Sequence, residues 1–380
     1  MTTRTEDILA RLIAFDTVSA KSNLALIDHV EDHLTQRGFR VTRIADPDAP
    51  KAGLYAEIGP EGAGGVLLSA HTDVVPVDGQ DWTRDPFALT LADGRLYGRG
   101  TTDMKGFVAA MLRAADAASH LALNEPLKLV LSYDEEVGCL GIARMLDRLT
   151  PLIGAPRLAI VGEPTDMRVA IGHKGKRCYR ATVRGEAGHS AMAPNFVNAL
   201  NVAADFVKAL QDMQSNLARN GAQDAAYDVP YSTVHVGLLS GGRALNIVPD
   251  HAEMTLEIRH LAQDDPDKLE QQITDAATRV AMAYGPGAGI EVQRLWSYPG
   301  LDTPQDAPLV AEVQRLAGTG TTKVAFGTEA GFFDALGIPT VVCGPGSMSG
   351  QGHKADEFLL QSELQACDAM LDRLLHAMTN

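Results

Sequence analysis

Four short apolar runs, "GGVLLSA", "LKLVLSY", "RLAIVGE" and "IPTVVCG", punctuate the chain. Each is continuous rather than alternating, the pattern of a strand covered on both faces. Between them apolar positions recur at helical spacing, which predicts helices near residues 105–120, 141–149 and 359–378. The N-terminal stretch places Ile8, Leu9, Leu12, Ile13 and Phe15 at the spacing of one more amphipathic helix. Strands alternating with helices predict an α/β domain with a mixed central sheet flanked by helices. Ligands of such open sheets collect at the carboxyl ends of the strands.

The middle of the chain has a different rhythm. A strand ("KRCYRATVRGE") is followed by a helix ("NALNVAADFVKALQDM") and two strands ("STVHVGLLSGG" and "HAEMTLEIRH"). A second helix ("DKLEQQITDAATRVAMAY") and a last strand ("IEVQRLW") complete the set. This β-α-β-β-α-β order is the ferredoxin-like split motif. It predicts an α+β domain over residues 177–296, inserted into a catalytic domain formed by residues 1–176 with 297–380.

Composition narrows the function classes. The chain has 380 residues, 45% of them hydrophobic, enough for a large core and two domains. A formal charge of −15 argues against a nucleic-acid or anionic-membrane partner. Cys139, Cys178, Cys343 and Cys367 are widely spread with no CxxC pair, as expected of free thiols in a reducing cytoplasm. No run approaches the roughly 20 apolar residues of a membrane span.

The residues at the strand ends carry the chemistry. His71 and Asp73 follow "GGVLLSA", and Asp103 sits in the glycine-rich "LYGRGTTDMKG" before a helix. Glu135 and Glu136 follow "LKLVLSYD", Glu163 follows "RLAIVG", and His353 follows "VVCGPGSMSGQG". Taken singly, each has an ordinary structural reading: a hydrogen-bonded histidine, a helix cap at Asp103, a solvated face at Glu135-Glu136, a turn at Glu163. Taken together, two imidazoles and several carboxylates on one sheet edge would repel unless cations neutralise them. Such oxygen and nitrogen donors suit zinc, cobalt or manganese, and there are too many for one tetrahedral ion but enough for a pair. His71 is then a ligand, and Asp73 the group that orients it.

The segments "HTDVVPVDGQDWTRDPF", "LYGRGTTDMKGF", "DEEVGCLG", "GEPT", "GEAGHSA" and "GHKADEF" resemble the dinuclear zinc aminoacylase and carboxypeptidase family. The resemblance runs from "LIAFDTVS" to the final helix. It implies two divalent ions, zinc or cobalt, one held by His71, Asp103 and Glu163, the other by Asp103, Glu136 and His353. Asp103 would bridge them, across a cis peptide to Met104, while Glu135 acts as general acid and base. It further implies that the inserted domain is a lid and a dimerisation surface in a homodimer. From that domain His189 would stabilise an oxyanion, in dimeric relatives at the other subunit's site. Asn246 and Arg259 resemble residues that grip a substrate α-carboxylate, for which an arginine fork is suited. Glu329, in "FGTEAGFF", is a candidate for recognising a substrate ammonium or shaping its pocket, and equally for a carboxylate at a helix N-terminus. The implied substrate is a small N-acyl amino acid. A sister hydrolase would share every ligand, and a catalytically dead, metal-stabilised binding protein would have little use for Glu135.

Overall fold

The computed structural model describes residues 3–62 and 64–379. The chain divides into two compact units, residues 1–173 with 301–380, and residues 174–300.

In the first unit a nine-stranded mixed sheet forms the frame. Its centre is Val66–His71, parallel to Leu127–Ser132 on one side and Leu158–Pro164 on the other, with Thr340–Gly344 parallel to the latter. All four strands are buried along their whole length, which is why the sequence gives them unbroken apolar runs. Arg40–Ala45 and Ala52–Ile58 extend one side as an antiparallel pair. Helices Arg4–Ile13, Gly106–Ala118 and Gln361–Ala377 pack together in the principal core, with Leu9, Phe107, Met111 and Leu371 fully buried. The N-terminal helix begins in a capping box, in which Thr3 and Glu6 satisfy each other's main-chain amides.

The parallel register brings the polar strand ends together. His71 lies opposite Ser132, so the strand ending in His71 and the strand leading into Asp134-Glu135-Glu136 stop at the same edge. Glu163 is carried near the end of the neighbouring strand. Asp103 arrives from a different direction, in the irregular turn Thr101–Lys105, where its backbone is extended (φ −122°, ψ 91°) and the Asp103-Met104 peptide is cis.

The second unit carries an antiparallel sheet in the order Thr233–Gly241, His251–His260, Gly175–Arg184, Gly289–Tyr298. Helices Ala199–Asn220 and Pro266–Tyr284 share its core with Tyr179, Leu256 and Ile258. The element order is the ferredoxin-like one that the periodicity predicts. Along His251–His260 every second residue is buried, the signature of a sheet with one covered face. A small antiparallel pairing of Gly188–His189 with Ile247–Val248 is an addition that no apolar pattern announces.

The helix expected over 141–149 runs Leu140–Ile153, and the start of the last helix moves for a physical reason. The apolar spacing puts residue 359 inside the last helix, but Phe358–Leu360 is a strand bonded to Arg95–Tyr97, and the helix starts at Gln361. Main-chain pairing there outweighs a helix-compatible apolar pattern. No helix among the described residues is long and apolar enough to cross a membrane.

Close approach of helix Gly106–Ala118 to the sheet depends on Gly162, immediately before Glu163. A Cβ at that position would lie 1.9 Å from Cδ1 of the fully buried Phe107. Gly162→Ala should therefore cost about 1–3 kcal/mol of stability, the usual range for overpacking. Denaturant unfolding of both proteins measures this, and an unchanged midpoint would show that the helix can shift freely.

Candidate metal centre

His71 is wholly buried at the end of its strand. Its Nδ1 lies 3.0 Å from the main-chain carbonyl of Asp73 and 3.5 Å from that residue's carboxylate. With Nδ1 directed at this carbonyl, Nε2 is the ring atom that faces inward. There Nε2 meets Asp103 Oδ1 at 3.1 Å and Glu163 Oε1 at 3.6 Å. The carboxylate of Asp73 is occupied elsewhere. It accepts from the Ser19 hydroxyl (2.7 Å) and from the main-chain amides of Glu135 (3.1 Å) and Glu136 (3.3 Å). Asp73 thus anchors the loop bearing both glutamates as well as the imidazole, a wider role than its expected one as an orienter of His71.

On the other side of Asp103 stands His353. Its Nε2 is 3.3 Å from Asp103 Oδ2 and 3.0 Å from Glu136 Oε2. The two oxygens of Asp103 therefore face two different imidazoles. Two sets of donor atoms lie within 4.8 Å of one another: His71, Glu135 and Glu163, and His71, Asp103 and Glu136. The first set contains Glu135, the residue expected to ligate nothing.

Electrostatics in this cluster is governed by crowding. Burial pushes the carboxyls of Glu135 and Glu163 well above their ordinary range, and neighbouring carboxylates add to the shift. Burial and Asp103 push Glu136 up to about 7. Asp103 is the exception: despite burial, its bonds to His353 and His71 hold it below the usual range. Burial alone would lower His71, but Glu163, Asp103 and Asp73 hold it well above its ordinary value. Bonds to Asp103 and Glu136 raise His353 to about 10. Protons stand where positive charge is needed. Glu136 Oε1 and Glu163 Oε1 are buried with no hydrogen-bond partner among the described residues. Unpartnered buried carboxylate oxygens beside two imidazoles fit divalent cations, which would supply the missing charge and bonds together.

Among the remaining predicted residues, Glu329 belongs to the first unit but to neither set of donors. Glu329 is buried, with Oε2 3.5 Å from the Ser69 hydroxyl and Oε1 unpartnered, and burial pushes it up to about 7. It stands at the N-cap position of helix Ala330–Ala335, though its side chain makes no capping hydrogen bond there; the Thr328 hydroxyl accepts from the Ala330 amide. His189, Asn246 and Arg259 belong to the second unit. His189 is exposed, its Nδ1 accepting from the Ala191 amide at 3.1 Å, and the Asn246 carbonyl accepts from the Ser190 amide at 3.1 Å. The small two-stranded pairing thus makes His189 and Asn246 neighbours. Arg259 donates through Nε to Glu257 at 2.9 Å.

Two residues escape a reading of the sequence. Cys139 is buried with Sγ 3.2 Å from Glu135 Oε1, donating to the carboxylate. The four-residue spacing from Glu135 is the only signal for it. Glu357 is buried with hydrogen bonds to the Asp103 loop, and no local pattern distinguishes it from the acidic residue beside it.

The proton-for-cation exchange has a pH signature. Glu136 holds its proton up to about 7 in the folded state, whereas the unfolded chain releases it near 4.5. Stability from this group is complete below the unfolded value and is lost as pH rises through the folded one. His353 has the same sign, with stability present below 6.5 and lost through about 10. In the presence of a chelator, the melting temperature should fall between about pH 5 and pH 8, and added zinc should flatten that fall. Thermal melts across the range check this; a chelated protein that becomes more stable toward pH 8 would contradict it.

Residues 67–377 match the model of peptidase family M20/M25/M40. The fold is shared with the aminopeptidase PepT of Bacillus cereus, at 20% identity and a TM-score of 0.79, covering 99% of this chain and 98% of that one. It is shared with an M20 family metallo-carboxypeptidase of Sulfolobus solfataricus, at 20% identity and a TM-score of 0.78, covering 98% and 99%. A dinuclear metal binding peptidase of Bacillus subtilis, 16% identical, matches over 99% and 98% with a TM-score of 0.71. The chain therefore belongs to peptidase family M20/M25/M40 and is a metallohydrolase of amide or peptide bonds.

Proposed function

We propose that the chain removes the acetyl group from N2-acetyl-L-ornithine, giving L-ornithine and acetate, a step of arginine biosynthesis. The observation that carries a hydrolytic reading is the pairing of Glu135 and Glu136 on one loop. The Glu136 carboxylate is engaged by His353, whereas the Glu135 carboxylate accepts a hydrogen bond only from the Cys139 thiol among the described residues. The segments "FGTEAGFF" and "GHKGKRCYR" support the deacetylase branch.

In this reading His71, Asp103 and Glu163 hold one divalent cation, and Asp103, Glu136 and His353 hold the other. When bound, zinc or cobalt polarises the amide carbonyl and acidifies water. Glu135 takes the proton of the attacking water and returns it to the leaving amine, one carboxyl serving as base and then as acid. Asp73 keeps the loop and the His71 ring in register for this exchange. His189 donates to the oxyanion, reaching the site of the partner subunit in a homodimer formed through the inserted domain. Asn246 and Arg259 bind the substrate α-carboxylate. Glu329, lacking a strong partner, binds the ornithine ammonium or shapes its pocket. Four buried free thiols fit a cytoplasmic enzyme.

A second reading has its own support. The solved structures of similar fold include a tripeptidase and dipeptidases, so a short peptide is the competing substrate class. A panel of N-acetyl- and N-succinyl-amino acids with di- and tripeptides, assayed with zinc or cobalt, separates the readings. Highest kcat/KM on N2-acetyl-L-ornithine is expected; preference for a dipeptide would transfer the proposal to peptide hydrolysis.

Glu135→Gln tests the catalytic assignment. It keeps size and hydrogen bonding but removes the base, so kcat should fall about 10²–10⁴-fold with metal content unchanged. Glu136→Gln should instead lower metal occupancy and recover activity in excess metal. Loss of metal from the Glu135 variant alone would exchange the two roles.

A further inference from the structure

Glu357 presents a fully buried carboxylate in which every hydrogen bond points at the segment leading into Asp103. Oε1 accepts from the main-chain amides of Thr102 (2.8 Å) and Asp103 (3.1 Å). Oε2 accepts from the amide of Gly100 (3.0 Å) and from Nη1 of Arg99 (2.7 Å). The main chain joins in, with the Gly98 amide donating to the Glu357 carbonyl at 3.0 Å and the Thr102 hydroxyl to the Phe358 carbonyl at 2.7 Å.

The same short segment carries His353 four residues earlier, and a second set of bonds returns to it. Arg99 donates through Nη2 to the side-chain oxygen of Gln80, and Gln80 donates through Nε2 to the His353 carbonyl at 2.9 Å. Asp356 is tied to the same outer loop, accepting from the Thr83 amide (3.0 Å) and hydroxyl (2.8 Å). A closed circuit therefore runs from Asp103 through Glu357, Arg99 and Gln80 to His353. It matters because the His353 side chain is 52% exposed and lacks the enclosing packing that fixes His71.

We infer that Glu357 is a positioning residue that locks the Asp103 loop to the His353 segment, so that the second of two divalent ions is held at full affinity only while this clamp is intact. The inference rests on the two-ion reading of the site. A carboxylate suits the task because it accepts four hydrogen bonds at once, three of them from consecutive or near-consecutive main-chain amides. The paired guanidinium of Arg99 compensates its charge in a dry environment, so the pair is a fixed strut rather than a surface contact.

The test uses the full chain, freed of metal and titrated with cobalt(II), with calorimetry for affinity and the visible absorption of the bound ion for coordination. Glu357→Gln preserves shape but sets an amide donor against the Gly100 amide or Arg99. The variant, folded by circular dichroism, should keep one ion and bind the second at least ten-fold more weakly, with altered visible bands. Two ions bound with wild-type affinity and spectrum would overturn the clamp. Should Glu357→Gln not fold, Arg99→Lys carries the test. It leaves the three main-chain bonds and the positive charge but removes the fork, so the second ion should weaken in the same direction, and unchanged loading overturns the inference. Wild-type protein that binds fewer than two ions would instead overturn the two-ion reading itself.

Discussion

Asp103, Glu135, Glu136 and Glu163 are gathered around two imidazoles at one edge of the sheet, and their mutual repulsion is the constraint to which the surrounding structure answers. Carboxylates at such spacing cannot all ionise on their own. The two imidazoles already draw positive charge: His71 and His353 are both held above their ordinary pKa by the acids they face. Even so, Glu135, Glu136 and Glu163 remain pushed toward the protonated form. A fold that needed only stability would replace such a cluster with apolar side chains at no loss. The cluster makes sense as a receptacle for cations, with one oxygen each of Glu136 and Glu163 lacking a hydrogen-bond partner among the described residues.

Holding repelling groups together requires a frame that cannot relax, and the parallel centre of the sheet supplies it. Register fixes His71 opposite Ser132, and Thr72 extends the pairing by donating its amide and hydroxyl to the Ser132 carbonyl. Beyond the last strand bonds, side chains take over. Asp73 ties down the Glu135-Glu136 loop, and Lys51 bridges from the Ser19 carbonyl to Asp134 just before it. Lys105, fully buried two residues after Asp103, donates to the carbonyls of Leu12 and Phe15 at the end of the first helix. The loops of the centre are thus pinned by charged groups whose remaining bonds reach separate parts of the core.

Much of this is legible in the chain because strands and metal donors leave different marks. Continuous apolar runs identify the central strands, and an acid or imidazole just past each run singles out His71, Glu135, Glu136 and Glu163. The alternation of "HAEMTLEIRH" and its neighbours reveals the architecture of the second unit in the same way. What stays hidden depends on partners distant in sequence. Glu357 meets Gly100, Thr102 and Asp103 across more than 250 positions, and Asp73 meets Glu135 across 62. Neither periodicity nor spacing reports a contact of that kind. The strand Phe358–Leu360 reads as helix for the same reason, since its pairing partner lies at Arg95–Tyr97.

Glu135 and Glu136 show how adjacent identical side chains come to stand in unlike surroundings. Both amides point at one carboxylate, that of Asp73, so the loop's orientation is common to the pair. Their side chains then enter unlike surroundings. Glu136 faces His353 and competes with Asp103 for the same imidazole nitrogen, the position of a ligand. Glu135 Oε1 meets the Cys139 thiol, a weak donor whose own ionisation is pushed well up by burial and by that glutamate. A weak neutral donor steadies the carboxyl without fixing its charge, whereas an arginine or lysine there would hold it ionised. A group meant to accept a proton and then release it needs that freedom. In the proposed mechanism these two adjacent residues serve as ligand and as proton carrier, and the unlike partners at residues 139 and 353 are what set their carboxyls apart.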